Sequence, residues 1–322
     1  MDKALADLIR MSNVAGKDPA LVLGGGGNTS VKTEDGKHMY IKASGTALKD
    51  MNEQRGWRRL RIEPVLAIIQ DKSLNKLDPI ARETAVVSRL LDSCDDALAK
   101  GARPSVESHL HALLKSHVIH LHPVVVSAYV NSRNGEKELA KAFAGEKLPA
   151  LWVPYADPGY MLAKKIASLV EGYVQEHGDK PQILFLEKHG VFVTADSANG
   201  ALRLVSKVID LCKSRIKTPR VPRIKTPAAD EIASAKLMIR KAVFDVTGQY
   251  VPVSYFPPTE NMAAFMAHKD AKALLDAPAL HPEELVFSNG PALWVEDPDA
   301  EKIARKLRAR IDRTQKAPYA FV

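Results

Sequence analysis

The chain reads as an α/β protein of two unequal units. Three observations carry that reading. Segments of helical period alternate with short apolar runs over the first two thirds of the chain. A stretch rich in Pro and Lys/Arg at 218–227 interrupts the alternation. The length of 322 residues at 46% hydrophobic content suits one large domain with a smaller one beside it. The expected organisation is a domain over 1–217, a linker at 218–227 and a smaller α/β extension over 228–322.

The first element is an amphipathic helix with Leu5, Leu8, Ile9 and Met11 on overlapping faces. An apolar run at 20–23, a plausible strand, then enters the glycine run 24–27. A short strand at 38–42 follows the turn residues Asp35-Gly36. Helical periodicity covers 79–98, and a second helix starts near Ser105 and carries Glu107, Leu110, His111 and Leu114. Residues 118–122 form a buried strand. Helices at 136–144, 159–176 and 199–216 then alternate with strands at 151–154, 183–186 and 191–194. Beyond the linker, 251–255, 285–287 and 292–296 are strand-like, and the chain ends on the apolar run Tyr319-Ala320-Phe321-Val322, which predicts a longer natural polypeptide.

The net charge of +8 is spread along the chain, with acids interleaved outside 213–225. Such a distribution suits an anionic small substrate and argues against nucleic acid, whose binders concentrate their basic residues beside aromatics. The two cysteines, Cys94 and Cys212, lack metal or redox spacing, as expected in a reducing cytoplasm. Acidic residues in the first ten positions and the lack of a long apolar run predict a soluble cytoplasmic protein with no membrane partner.

Five of the ten histidines fall between 109 and 122. In His120-Leu121-His122 on a strand, residues i and i+2 project from one face, so both imidazoles can reach one ion. Two half-buried histidines with backbone partners would give the same pattern. His189, between two apolar runs and followed by Gly190, can turn inward as a third ligand and leave a position for substrate. Glu107 near a helix start is either an acid/base group facing that metal or a residue favoured there by the helix dipole. His109 and His111 read as packing or supporting residues. The glycine run does not fit a dinucleotide fingerprint, because Thr29 stands at the third glycine and β-prone residues follow. Its backbone N–H groups, with Asn28 and Thr29, can still cradle a phosphate, as can the segment from Lys42 to Thr46.

Taken in order, these segments resemble the class II aldolase/adducin family. Gly27-Asn28-Thr29-Ser30 is similar to its glycine-asparagine-x-serine loop, Ser44-Gly45 to its hydroxyl-glycine turn, and Ser105-Val106-Glu107 with His111 to its glutamate-bearing helix. His120-Leu121-His122-Pro123, Tyr155 with Pro158-Gly159, and His189-Gly190 complete the set. The resemblance spans about 5–216 and is nearest to the rhamnulose-1-phosphate aldolase half of bifunctional aldolase–dehydrogenase proteins, although no dehydrogenase half is visible. Val106 stands where fuculose-phosphate aldolases have a second serine.

The resemblance implies a central, largely antiparallel sheet flanked by helices, a homotetramer with active sites between subunits, and Zn2+ or another divalent metal on His120, His122 and His189. It implies Glu107 as the catalytic acid/base and Gly27, Asn28, Ser44, Gly45 and Ser105 as the phosphate site of a small phosphorylated sugar. The implied reaction is retro-aldol cleavage of a ketose 1-phosphate to dihydroxyacetone phosphate and an aldehyde. A sugar-phosphate 4-epimerase, a dehydratase, a decarboxylase or a non-catalytic adducin-like module are the alternatives on the same framework.

Overall fold

Strands β1 (Asn28–Lys32), β2 (His38–Lys42), β3 (Trp57–Arg61), β4 (His117–Leu121), β5 (Ala150–Val153), β6 (Ile183–Leu186) and β7 (Gly190–Ala195) form one sheet in the computed structural model, in the order β3-β2-β1-β4-β7-β6-β5. Every pairing is antiparallel except β5 with β6. The structure describes residues 2–96, 102–148, 150–217, 221, 227–280 and 282–322. Contacts divide the chain into two compact units, Met1–Ile216 and Lys217–Val322. Most of the linker expected at 218–227, and the end of the helical stretch expected at 79–98, lie outside the described residues.

Helices cover both faces of the sheet, which is why β4 and β7 are buried along their whole length, and β1 as far as Val31, instead of alternating. On one face lie α1 (Lys3–Lys17), α5 (Val124–Val130), α6 (Gly135–Ala142) and α8 (Ala198–Ser214), packed on Val31, Ile119 and Val193. On the other lie α2 (Ile62–Gln70), α3 (Pro79–Asp92), α4 (Ser108–Leu113) and α7 (Tyr160–His177), packed on Met39, Ile41, Val118 and Phe192. Local chemistry sets the helix ends. Asp2 caps α1 through Ala4 N, Asp78 caps α3 with Pro79 at its first position, and Gly178 ends α7 in the left-handed conformation.

Two details of the first unit differ from expectation. The run 20–23 is turn and loop, because Leu21 and Val22 N–H bond back to Asp18 O, so the glycine run leads into the first strand and does not follow one. The helix expected near Ser105 begins at Ser108, since the backbone before it is tied to the end of β2. Ser44 N donates to Arg103 O at 2.8 Å and Ser105 N to Lys42 O at 2.9 Å.

The second unit corrects the α/β expectation for 228–322. It is built from α9 (Ala229–Thr247), α10 (Glu260–Met266), α11 (Ala271–Asp276), α12 (Pro282–Phe287) and α13 (Ala300–Thr314), with Ala242 and Val243 packed against Ile303, Ala304 and Leu307. Its β structure among the described residues is one isolated parallel bridge, Leu293 to Phe321. At 285–287 the preceding Pro282-Glu283-Glu284 starts a helix, with the acids in its first turn. The stretch 251–255 forms no strand; Pro252 within it has no N–H to give a ladder.

Candidate metal centre

Three neighbouring strands bring the candidate residues together. Asn28 on β1, His120 on β4 and Phe192 on β7 are in register, so their side chains form a row on the face covered by α4. His122 projects beyond the end of β4 on the same side. His189 sits in the three-residue turn closed by the Leu186–Gly190 pair. Lys188, just before it, takes a left-handed φ of 58°, the conformation that reverses a short hairpin. The result is convergence of three imidazoles. His120 Nε2 lies 2.9 Å from His122 Nε2 and 3.3 Å from His189 Nε2, and the three potential ligand atoms lie within 4.8 Å of one another.

Hydrogen bonding decides what those nitrogens can do. His120 is fully buried and stacks on Phe192 at 4.1 Å between ring centroids. Its Nδ1 is 3.1 Å from Val191 O, which only accepts, so Nδ1 carries the proton and Nε2 keeps its lone pair toward the other two rings. Burial, with His122 and His189 alongside, holds its pKa well below the usual range. A neutral imidazole with its second nitrogen bonded to a carbonyl is the form that ligates a divalent ion. The donor set therefore fits a metal such as zinc, and a catalytic one, since three protein nitrogens leave coordination positions for substrate.

Glu107, at the N-terminal boundary of α4, faces this cluster. Its Oε2 is 3.4 Å from His120 Nε2 and its Oε1 is 3.5 Å from His189 Nε2. Burial by itself raises the carboxyl pKa. His189 and the Asn28 amide, which donates to Oε2 at 2.7 Å, outweigh burial and hold the group below its ordinary value, as a carboxylate. His111, one helical turn on, is fully buried, with Nδ1 2.8 Å from Ser30 Oγ and Nε2 against Asn28 Oδ1. His109 is also fully buried, on another side of α4, where burial lowers its pKa to about 4.

The segments expected to hold phosphate lie side by side. Gly27, at φ 71°, packs so closely on β4 that a Cβ there would meet His120 O at 2.7 Å. Ser44 Oγ donates to Pro104 O at 3.2 Å, and Ser105 Oγ accepts from Glu107 N at 3.3 Å. Gly45 has open space around it. Asn28 Nδ2 donates to Glu107 Oε2 at 2.7 Å and its Oδ1 contacts His111 Nε2, which leaves the second N–H of the amide outside these two bonds.

Lys42, the first residue of the second phosphate-candidate segment, was not expected to be buried. It is 6% exposed at the end of β2, two residues before Ser44, and its ammonium makes no hydrogen bond or ion pair with the described residues. Burial lowers its pKa, and Glu107 opposes that shift. A lysine closing an apolar strand directly before a hydroxyl-glycine turn was the available signal.

Comparison with known proteins places this geometry in context. A model of the class II aldolase and adducin N-terminal domain matches residues 6–216. A Bacillus subtilis protein described as the uncharacterized oxidoreductase YuxG is 26% identical over 335 aligned positions, covering 97% of this chain and 46% of that protein. The chain thus spans less than half the length of that relative. The N-terminal class II aldolase domain of a conserved protein from Thermoplasma acidophilum superposes with a TM-score of 0.55 at 27% identity, covering 67% of this chain and 95% of that one. YgbL from Klebsiella pneumoniae, titled a putative aldolase/epimerase/decarboxylase, gives a TM-score of 0.45 at 15% identity over 72% of this chain and 98% of that one.

Proposed function

The chain belongs to the class II aldolase and adducin N-terminal domain family, and from that premise we propose that it is a divalent-metal-dependent lyase that cleaves a ketose 1-phosphate to dihydroxyacetone phosphate and an aldehyde. The observation that carries this reading is the convergence of three imidazole nitrogens with the Glu107 carboxylate, 3.4 and 3.5 Å from two of them. An interaction module that had lost catalysis would have no reason to keep a buried carboxylate against three converging histidines.

His120, His122 and His189 would hold the metal. When bound, a divalent ion supplies Lewis acidity toward the carbonyl and hydroxyl oxygens of the substrate. Glu107 moves the proton: in condensation it takes the proton α to the carbonyl, and in cleavage it returns a proton to the same carbon. Its placement at the metal centre rather than in bulk water keeps that transfer short. Gly27, Asn28, Ser44, Gly45 and Ser105 would receive the phosphate, with the Lys42 ammonium supplying positive charge beside them. A residue from a neighbouring subunit of a homotetramer would protonate the aldehyde oxygen.

The aldehyde product is a substrate for oxidoreductases. The longer relative carries that description, which favours a reaction sequence in which the aldehyde is oxidised or reduced next. The test of the main reading is release of dihydroxyacetone phosphate from a panel of ketose 1-phosphates, with added zinc and with a chelator. Zinc-dependent release is the expected result. Metal binding without release from any member of the panel would transfer the assignment to 4-epimerisation, dehydration or decarboxylation.

A further inference from the structure

A chain of hydrogen bonds runs from the sheet to the candidate acid/base group. Ser30 and Asn28, two apart on β1, project on one face and clasp the two nitrogens of the His111 ring: Ser30 Oγ is 2.8 Å from Nδ1, and Asn28 Oδ1 contacts Nε2. The other end of the Asn28 amide donates to Glu107 Oε2 at 2.7 Å. His111 has no exposure to solvent, and Phe192 meets its ring edge-on at 5.2 Å between centroids.

The direction of the chain follows from its anionic end. A carboxylate only accepts, so the amide nitrogen of Asn28 must face Glu107 and its oxygen must face His111. His111 must then donate from Nε2, which leaves Nδ1 as an acceptor for the Ser30 hydroxyl. Reversing the amide would set its oxygen against the carboxylate, a like contact in a buried space; the imidazole could change tautomer to suit, but a carboxylate cannot become a donor. Each residue in the chain thus has one orientation.

Resting on the reading of Glu107 as the acid/base group, we infer that His111 is a positioning residue. With Nδ1 bonded to Ser30 Oγ and Nε2 donating to Asn28 Oδ1, it anchors the amide of Asn28 so that Asn28 orients Glu107 at the metal centre. Asn28 thereby holds the catalytic carboxylate through one of the two N–H groups of its amide. His111 bonds to Ser30 and Asn28 and meets Phe192 edge-on, and its effect on Glu107 passes through one amide. The amide of glutamine at position 111 offers the same kind of N–H donor, and leucine offers none.

Neutron diffraction from deuterium-exchanged crystals of the zinc-loaded protein tests the chain itself. The expected map has deuterium on His111 Nε2 and not Nδ1, with the Asn28 ND2 group toward Glu107. Deuterium on Nδ1, or an amide turned the other way, overturns the inference whether or not the protein is an aldolase. With cleavage established, His111→Leu is expected to lower kcat about tenfold at unchanged KM and unchanged zinc content, as expected for about one net hydrogen bond, and His111→Gln to recover most of the loss. Equal losses in the two variants, or loss of zinc in either, would make His111 a packing residue and sink the proposal. Absence of cleavage by the wild-type protein would remove the aldolase reading, and the neutron map would still decide the chain.

Discussion

Gly190 and His122 occupy space that admits no side chain between them: a Cβ on residue 190 would lie 2.5 Å from His122 Cδ2 and 2.5 Å from Leu121 O. One contact is with a candidate ligand and the other with backbone, so neither gives way without moving the metal centre. Gly190→Ala should therefore displace His122 and weaken zinc binding by about 10–100-fold, the range seen when the surroundings of a ligand are disturbed. Overpacking should also cost about 1–3 kcal/mol of stability. Zinc titration and urea unfolding measure the two effects, and normal affinity would show that the β6–β7 turn relaxes without moving His122.

Glu107→Gln keeps the size of the side chain and removes its ability to accept a proton. The variant should bind zinc as the wild type does and lose turnover by about 100-fold or more, the usual contribution of a positioned acid/base group. Metal analysis beside steady-state kinetics separates these outcomes. A comparable loss of zinc would identify Glu107 as mainly a ligand.

Lys42 is 6% exposed and its ammonium is paired with none of the described residues, so a phosphate at the neighbouring Ser44-Gly45 turn would meet an uncommitted positive charge. Lys42→Met should raise KM for a phosphorylated ketose by about 10–100-fold, the loss expected for a charged hydrogen bond of roughly 1.5–3 kcal/mol. The KM for the unphosphorylated sugar should change far less. Equal shifts for both sugars would assign Lys42 to the fold.

The sheet and the candidate site were unequally legible in the sequence. Strands such as β4, β6 and β7 are short apolar runs between turn residues, and they were readable as strands. The strand at 57–61 was not, because its alternation is carried by three arginines: Arg58 is buried through its pair with Asp96 rather than by apolar character. His120, His122 and His189 were legible from spacing and a following glycine. Asn28 was legible as a polar loop residue but not as a partner of Glu107, since the contact joins residues 79 apart through β1 and α4. Lys42 was legible as the start of a phosphate-candidate segment but its burial was not, because a lysine ordinarily marks the solvent end of a strand. In the second unit, proline at 252 and the acids at 283 and 284 outweighed local β propensity.

Lys188 takes a left-handed φ of 58° to turn His189 toward the metal centre, while its ammonium lies 5.1 Å from the centroid of the Tyr155 ring. A β-branched residue is strained in that conformation and glycine is not. Lys188→Gly should retain zinc binding and activity and stay within about 1 kcal/mol of wild-type stability. Lys188→Ile should lose about 1–3 kcal/mol and weaken zinc binding as the turn shifts. Thermal melts with zinc titrations of both variants check this, and equal behaviour would mean that the turn is held by the sheet rather than by residue 188.

Burial lowers the His109 pKa to about 4 from the ordinary histidine value of 6.5. The folded state therefore keeps this imidazole neutral where the unfolded chain protonates it, so the unfolded state binds more protons between those two values. Stability is full above pH about 6.5 and falls as pH drops toward about 4, with a slope of up to about 1.4 kcal/mol per pH unit from this group. His111, lowered to about 3 by the same burial, adds a similar slope over a wider window. Replacing His109 with leucine removes one of these two slopes, so the dependence of the urea midpoint on pH from 6.5 to 4 should become shallower than in the wild type. An unchanged pH dependence would mean that His109 is protonated in the folded protein, and the buried ring would then need an acceptor such as the backbone carbonyl of a neighbouring turn.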